Sequence, residues 1–151
     1  MSVSVDANVL IYAANVRDPM HGTARALIER LSAGPDLFYL FWPTILAYLR
    51  ITTNPRALQE PLPSTRAIEN VEGLLRLPHV VTPSEGPTFW STYLASGGRT
   101  ARGNSVPDTH LATLLRENGV RILYSRDRDF RRFDFLDVRD PFTHRINDGA
   151  R

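Results

Sequence analysis

The chain contains no cysteine. A disulfide framework, a thiolate metal site and a cysteine nucleophile are therefore excluded. It contains no lysine either: all 18 residues counted as Lys plus Arg are arginine. A biased composition explains this more simply than selection for phosphate recognition, but every mechanism that needs a lysine falls with it. Charge of one sign is not in large excess, the formal net value being +2. No uninterrupted apolar run approaches membrane-spanning length, and the first residues lead almost directly into a strand-like segment without a basic, then apolar leader. The expectation is a soluble, cytoplasmic protein with no membrane association. Internal repeats and low-complexity blocks are also missing, and 151 residues suit one domain with a sizeable core.

What is present is an alternation of strand-like and helix-like segments. SVSVD reads as a first strand, followed by helices from about Asn8 to Ala14 and from about Met20 to Leu31, the latter with Ala24, Leu27, Ile28 and Leu31 at helical spacing. LFYLFW suits a buried strand. A helix is expected from near Pro43 to before Asn54, because Pro55 disfavours helical geometry in the residue preceding it. After a proline-containing loop over 56–63, Ser64 is the expected N-cap of a helix carrying Ile68, Val71, Leu74 and Leu75. HVVT is a third strand, then a helix from about Glu85 to Leu94, the turn-rich ASGGRTARGN, the helix that Asp108 opens, the strand RILYS and a short strand over 136–138. The alternation predicts an α/β fold with a central, mostly parallel sheet flanked by helices. The domain is expected to span 1–142, with 143–151 a tail of little apolar content and no fixed structure.

Three aspartates sit where such a fold would gather them. In a parallel sheet crossed by helices, strand C-termini and the N-termini of the intervening helices share one rim. Asp6 and Asp127 fall just past strand ends and Asp108 in a helix's first turn. Asp108 is in register with Leu111, Ala112 and Leu115, so it belongs to the stripe that packs on the sheet. Two ionised carboxylates about 4 Å apart repel by roughly 4 kcal/mol at an effective dielectric near 20. Crowding several makes sense mainly around a divalent cation, and carboxylate oxygens suit Mg²⁺ or Mn²⁺. Such a site suits metal-assisted phosphodiester hydrolysis.

The segments VDANVLIYA, FWPTILAYLRITTNPR and VPDTHLATLLRENGVRILYSRDRDF, in this order and followed by a short final strand, resemble those of PIN-domain ribonucleases, specifically VapC-type toxins of bacterial toxin–antitoxin pairs. The resemblance spans roughly residues 2 to 142. It implies a PIN fold, Mg²⁺- or Mn²⁺-dependent cleavage of RNA, a homodimer, and neutralisation by a small VapB-type antitoxin. By motif it implies catalytic roles for Asp6, Asp108, Asp127 and Asp129, with Asp6, Asp108 and Asp127 as metal ligands and Asn8 and Ser125 supporting them. One departure stands out: many relatives carry a glutamate about three residues before the middle-helix arginine, and this chain has Ala47 before Arg50. An alternative from another class is thus a catalytically weakened or inactive RNA- or protein-binding module.

Arg50, Arg126, Arg128, Arg131 and Arg132 are candidates to grip an RNA backbone, guanidinium forks matching phosphate oxygens. Trp42 and Trp90 lie in apolar segments and are expected in the core. His110 is expected on a different helix face from Asp108, as a surface or packing residue. Two other families that gather aspartates on a sheet rim do not fit. Receiver domains use a late-strand lysine; aspartate-nucleophile phosphatases need two aspartates one residue apart and usually a lysine, whereas this chain reads Asp6, Ala7, Asn8.

Overall fold

The computed structural model of the chain describes residues 1–143. Five parallel strands form one sheet: β1 (Ser2–Val5), β2 (Leu37–Tyr39), β3 (Val80–Val81), β4 (Ile122–Tyr124) and β5 (Asp137–Arg139), in the order β3-β2-β1-β4-β5. The helices are α1 (Ala7–Ala14), α2 (His21–Ala33), α3 (Trp42–Thr52), α4 (Ser64–Leu75), α5 (Phe89–Tyr93) and α6 (Ser105–Glu117). A π turn at Leu94–Gly98 extends α5, and a 3-10 turn at Arg128–Arg132 joins β4 to β5. Every pairing is parallel. The mostly parallel α/β sheet expected from sequence is thus wholly parallel among the described residues. The expected tail lies outside them but for Thr143.

Two apolar layers cover the sheet, because successive side chains of a strand point to opposite faces. Val3, Val5, Phe38 and Ile122 pack with α1, α2, α3 and α4; Leu123 packs with Leu111, Leu114 and Leu115 of α6 and with Phe130 and Phe133. Val5, Val9, Phe38, Leu115 and Leu123 are fully buried, each worth about 1.5–3 kcal/mol relative to exposure. Removing one such side chain would loosen the strand ends that carry the polar rim.

Local deviations from the expected elements have identifiable causes. β2 stops at Tyr39 instead of continuing through LFYLFW, because α3 already starts at Trp42 with Pro43 in its first turn, where a missing N–H costs nothing. Trp42 and Trp90, expected in the core, are exposed at 43% and 65%, as is Ile68. Pro63, not Ser64, is the cap residue of α4, with no side-chain cap hydrogen bond; proline's fixed φ supplies the entry that a serine hydroxyl would otherwise stabilise. The expected helix from Glu85 begins only at Phe89, since Gly86 and Pro87 break the segment before it.

Candidate metal centre

β1 and β4 are adjacent and in register, Val5 opposite Tyr124. The residues that follow them, Asp6 and Ser125, therefore emerge side by side at the sheet's C-terminal rim. The Asp6 N–H donates to the Tyr124 carbonyl at 2.9 Å, prolonging the ladder by one step. Asp6 is also the N-cap of α1, one carboxylate oxygen accepting from Ala7 N–H at 2.7 Å. Its other oxygen accepts from Asn8 Nδ2 at 3.1 Å and from Ser125 Oγ at 3.0 Å. The buried Ser125 hydroxyl in turn accepts from the Asp127 N–H at 2.9 Å. One hydroxyl thus ties the first acid to the backbone of the third. Asn8 and Ser125 thus both donate to the Asp6 carboxylate.

Asp108 projects from the first turn of α6, half-buried. Carboxylate oxygens of Asp108, Asp127 and Asp129 lie within 4.8 Å of one another. The Asp129 N–H donates to Asp127 Oδ1 at 2.9 Å, so the 3-10 turn after β4 fixes both. Asp6 is not a member of this triple; it adjoins it through Ser125 and raises the Asp108 carboxyl by its own charge. Asp129, which the resemblance gives as catalytic but not as a ligand, stands in the triple, and Asp6, which it gives as a ligand, stands beside it.

The electrostatics carry the mark of crowding. Burial pushes the Asp108 carboxyl up from 3.8 to about 6, Asp127, Asp6 and Asp129 adding repulsion and Arg132 opposing it. Burial also raises Asp6, partly offset by its Ser125 and Ala7 hydrogen bonds, while Asp127 adds to the rise. These groups are short of positive charge. The donor set is all oxygen, which fits a hard divalent ion such as Mg²⁺ or Mn²⁺. Asn8 Oδ1, buried with no hydrogen-bond partner while its amide nitrogen is committed to Asp6, is a further orphaned acceptor at the same place, and buried orphans of this kind call for an ion or ordered water.

The arginines divide. Arg126 donates to the Tyr12 hydroxyl at 3.2 Å and lies over that ring, so it is held along α1. Arg50 and Arg128 are exposed. Arg132 is the one that reaches the acids, its Nη2 3.8 Å from Asp108 Oδ2. Nothing in the sequence singled it out from the three neighbouring candidates Arg126, Arg128 and Arg131, because the run Arg-Asp-Phe-Arg-Arg follows no regular period. Ala47 is half-buried on α3. His110 turns away to Glu85, Nε2 to Oε1 at 2.7 Å, and packs edge-on against Phe89.

Carboxylates from three separate parts of the chain thus gather on the rim of a parallel sheet as an all-oxygen acidic cluster. Residues 3–136 match the PIN domain model, and the chain belongs to the PIN-domain family, among its VapC-type ribonuclease toxins. It is 43% identical over 144 residues to Ribonuclease VapC48 of Mycobacterium tuberculosis strain H37Rv, covering 95% of this chain and 99% of that protein. Ribonuclease VapC43 of the same strain is 35% identical over 139 residues, 91% of this chain and 93% of the relative. Among solved structures, Mycobacterium tuberculosis VapC20, described as a sarcin-ricin loop cleaving toxin, superposes with a TM-score of 0.65 at 19% identity, covering 91% and 99% of the two chains. The VapBC2 complex of Rickettsia felis, bound to a DNA fragment from its promoter, gives 0.63 at 12% identity, covering 92% and 98%.

Proposed function

We propose that this chain is the toxin of a type II toxin–antitoxin pair and cleaves RNA phosphodiester bonds with the help of Mg²⁺ or Mn²⁺ at the rim carboxylates. The observation that carries the proposal is the convergence of Asp108, Asp127 and Asp129 within 4.8 Å, with Asp6 tied to Asp127 through Ser125. Asp6, Asp108 and Asp127, with Asp129 in reach, would hold a divalent ion, which would supply charge neutralisation and Lewis acidity toward a phosphate oxygen. The chain's own residues do the positioning. Ser125 and Asn8 fix the Asp6 carboxylate, the 3-10 turn fixes Asp127 and Asp129, and the core stripe of α6 fixes Asp108. Arg50, Arg126 and Arg128 are exposed cations on which an RNA backbone can rest.

The natural partners of this reading are an RNA substrate, a VapB-type antitoxin and a second copy of the chain, all acting in the cytoplasm. Antitoxin pairing is supported by family membership, and the homodimer by Trp42 and Leu46, exposed one turn apart on α3. Among the described residues no helix is long and apolar enough to cross a membrane. The test is incubation of purified chain with RNA in Mg²⁺ or Mn²⁺, in EDTA, and as Asp6→Asn. Internal cleavage that EDTA abolishes, metal restores and the substitution removes is expected. Cleavage that survives both chelation and substitution overturns the metal mechanism.

A further inference from the structure

Beside the carboxylates lies a second cleft, of about 360 Å³, between the π turn Leu94–Gly98 and the first half of α6. Its walls are Ser96, Gly97 and Thr100 on one side and Ser105 and Thr109 on the other, with Arg132 at the end. No carboxylate lines it. A volume in the range of small-ligand sites and a guanidinium at its end fit an anionic ligand. Thr100, Ser105 and Thr109 already donate their hydroxyl protons to the Gly97, Arg102 and Ser105 carbonyls, whereas the Ser96 hydroxyl accepts from Arg116 Nη1 and keeps its own proton for a ligand.

Arg132 joins this cleft to the metal centre. Its Nη2 lies 3.8 Å from Asp108 Oδ2 and 3.5 Å from the Ser105 carbonyl. Its guanidinium lies over the Phe133 ring, 4.7 Å from the centroid, which holds the fork flat while most of its five N–H donors stay free. Asp108 falls between Ser105 and Thr109 in sequence, so one turn of α6 presents the acid on one side and the cleft wall on the other. The opposite wall is fixed in place. A Cβ on Gly98 would stand 2.4 Å from the Tyr93 ring and 2.6 Å from its carbonyl oxygen, and Gly97 has φ of +109° with open space where its Cβ would be.

We propose that this cleft seats the nucleotide adjoining the scissile phosphate, with Arg132 gripping the phosphate that joins the two. The proposal rests on the ribonuclease reading and adds where the RNA strand runs. The Ser96 hydroxyl faces the ribose, whose 2′-hydroxyl can both donate and accept.

The test is fluorescence anisotropy of the full chain with a labelled single-stranded RNA of mixed sequence, in EDTA, across a series of NaCl concentrations. Arg132→Gln should weaken binding about five- to ten-fold and lower the salt slope by about 0.7, the value of one phosphate contact on a single strand. Arg132→Lys should keep the slope. Thr100→Trp, at an exposed position, fills the cleft and should weaken binding with the slope unchanged; circular dichroism confirms that each variant is folded. Parental affinity and slope in both Arg132→Gln and Thr100→Trp overturn the proposal. Weakening in Arg132→Gln alone overturns the cleft as a subsite and leaves only a phosphate contact. Cleavage by the wild-type chain in Mn²⁺ is measured alongside: its absence defeats the ribonuclease reading and the subsite together, whereas cleavage with unaffected variants defeats the subsite alone.

Discussion

Asp108→Asn should stabilise the metal-free protein at neutral pH and lose that advantage in acid. A carboxyl raised from 3.8 to about 6 opposes folding in its ionised form by a ceiling of about 3 kcal/mol, at about 1.4 kcal/mol per pH unit. The Asp108 side chain is 19% exposed, and solvent screening brings the figure nearer to about 2 kcal/mol. Against this, asparagine gives up the helix-dipole interaction of a first-turn acid, about 0.3–1 kcal/mol; the attraction of Arg132 is already contained in the raised value. A net gain of about 1 kcal/mol remains at pH 7.5 in EDTA, or about 2–4 °C in melting temperature for a chain of this size. The folded-state value is the raised one, so the stability linked to the protonated acid is complete below 3.8 and is lost as pH rises through about 6. Urea titrations of both chains in EDTA from pH 4 to 8, followed by circular dichroism, should therefore show the variant ahead only at the upper end. Equal midpoints at pH 7.5, or an advantage undiminished at pH 4, would refute the idea that Asp108 is ionised against its neighbours. Asp6→Asn is the poorer probe of repulsion, because the Asp6 carboxylate accepts from Ala7, Asn8 and Ser125 and an amide can satisfy only some of these donors.

Ser125→Ala removes the hydroxyl that links Asp6 to Asp127 and should weaken Mn²⁺ binding about ten-fold by calorimetry, the usual effect of losing an outer partner of a ligand; unchanged affinity would mean the two acids are held without it. Ala47→Glu should tighten divalent-metal binding by adding a hard ligand where many relatives carry one, and an unaltered titration in a folded variant would show that the α3 side chain does not reach the site. Gly98→Ala should cost about 1–3 kcal/mol as overpacking, because the clash involves the Tyr93 backbone carbonyl as well as its ring; a melting temperature within one degree of wild type would contradict the close approach.

The order of elements and the gathering of acids were legible because they follow from patterns with a fixed geometry. Alternating segments force a parallel sheet, and a parallel sheet has one rim on which Asp6, Asp108 and Asp127 must meet. The sequence was silent where position depends on tertiary detail. Trp42 and Trp90 sit among apolar neighbours, but each occupies the outer side of a helix, which segment composition does not reveal. Asp129 and Arg132 lie in a short 3-10 turn with no amphipathic period to orient them, so their approach to Asp108 emerges only from the folded backbone. The π turn at Leu94–Gly98 depends on a glycine pair packed against Tyr93, and a Gly-Gly dipeptide from sequence says only that the chain turns.

The central place of β1 in the sheet has a consequence for synthesis. Its neighbour β4 is separated from it by well over half the chain, and pairing across so long a stretch must overcome a large loop-closure entropy before any contact repays it. Asp6 leaves the ribosome long before Ser125, Asp127 and Asp129 do. A nascent chain that stops before residue 122 carries Asp6 and Asp108 but neither Asp127 nor Asp129, and three of the five strands. The acidic cluster is therefore completed only after β4 has been made, and a chain that stops short of it lacks Ser125, Asp127 and Asp129.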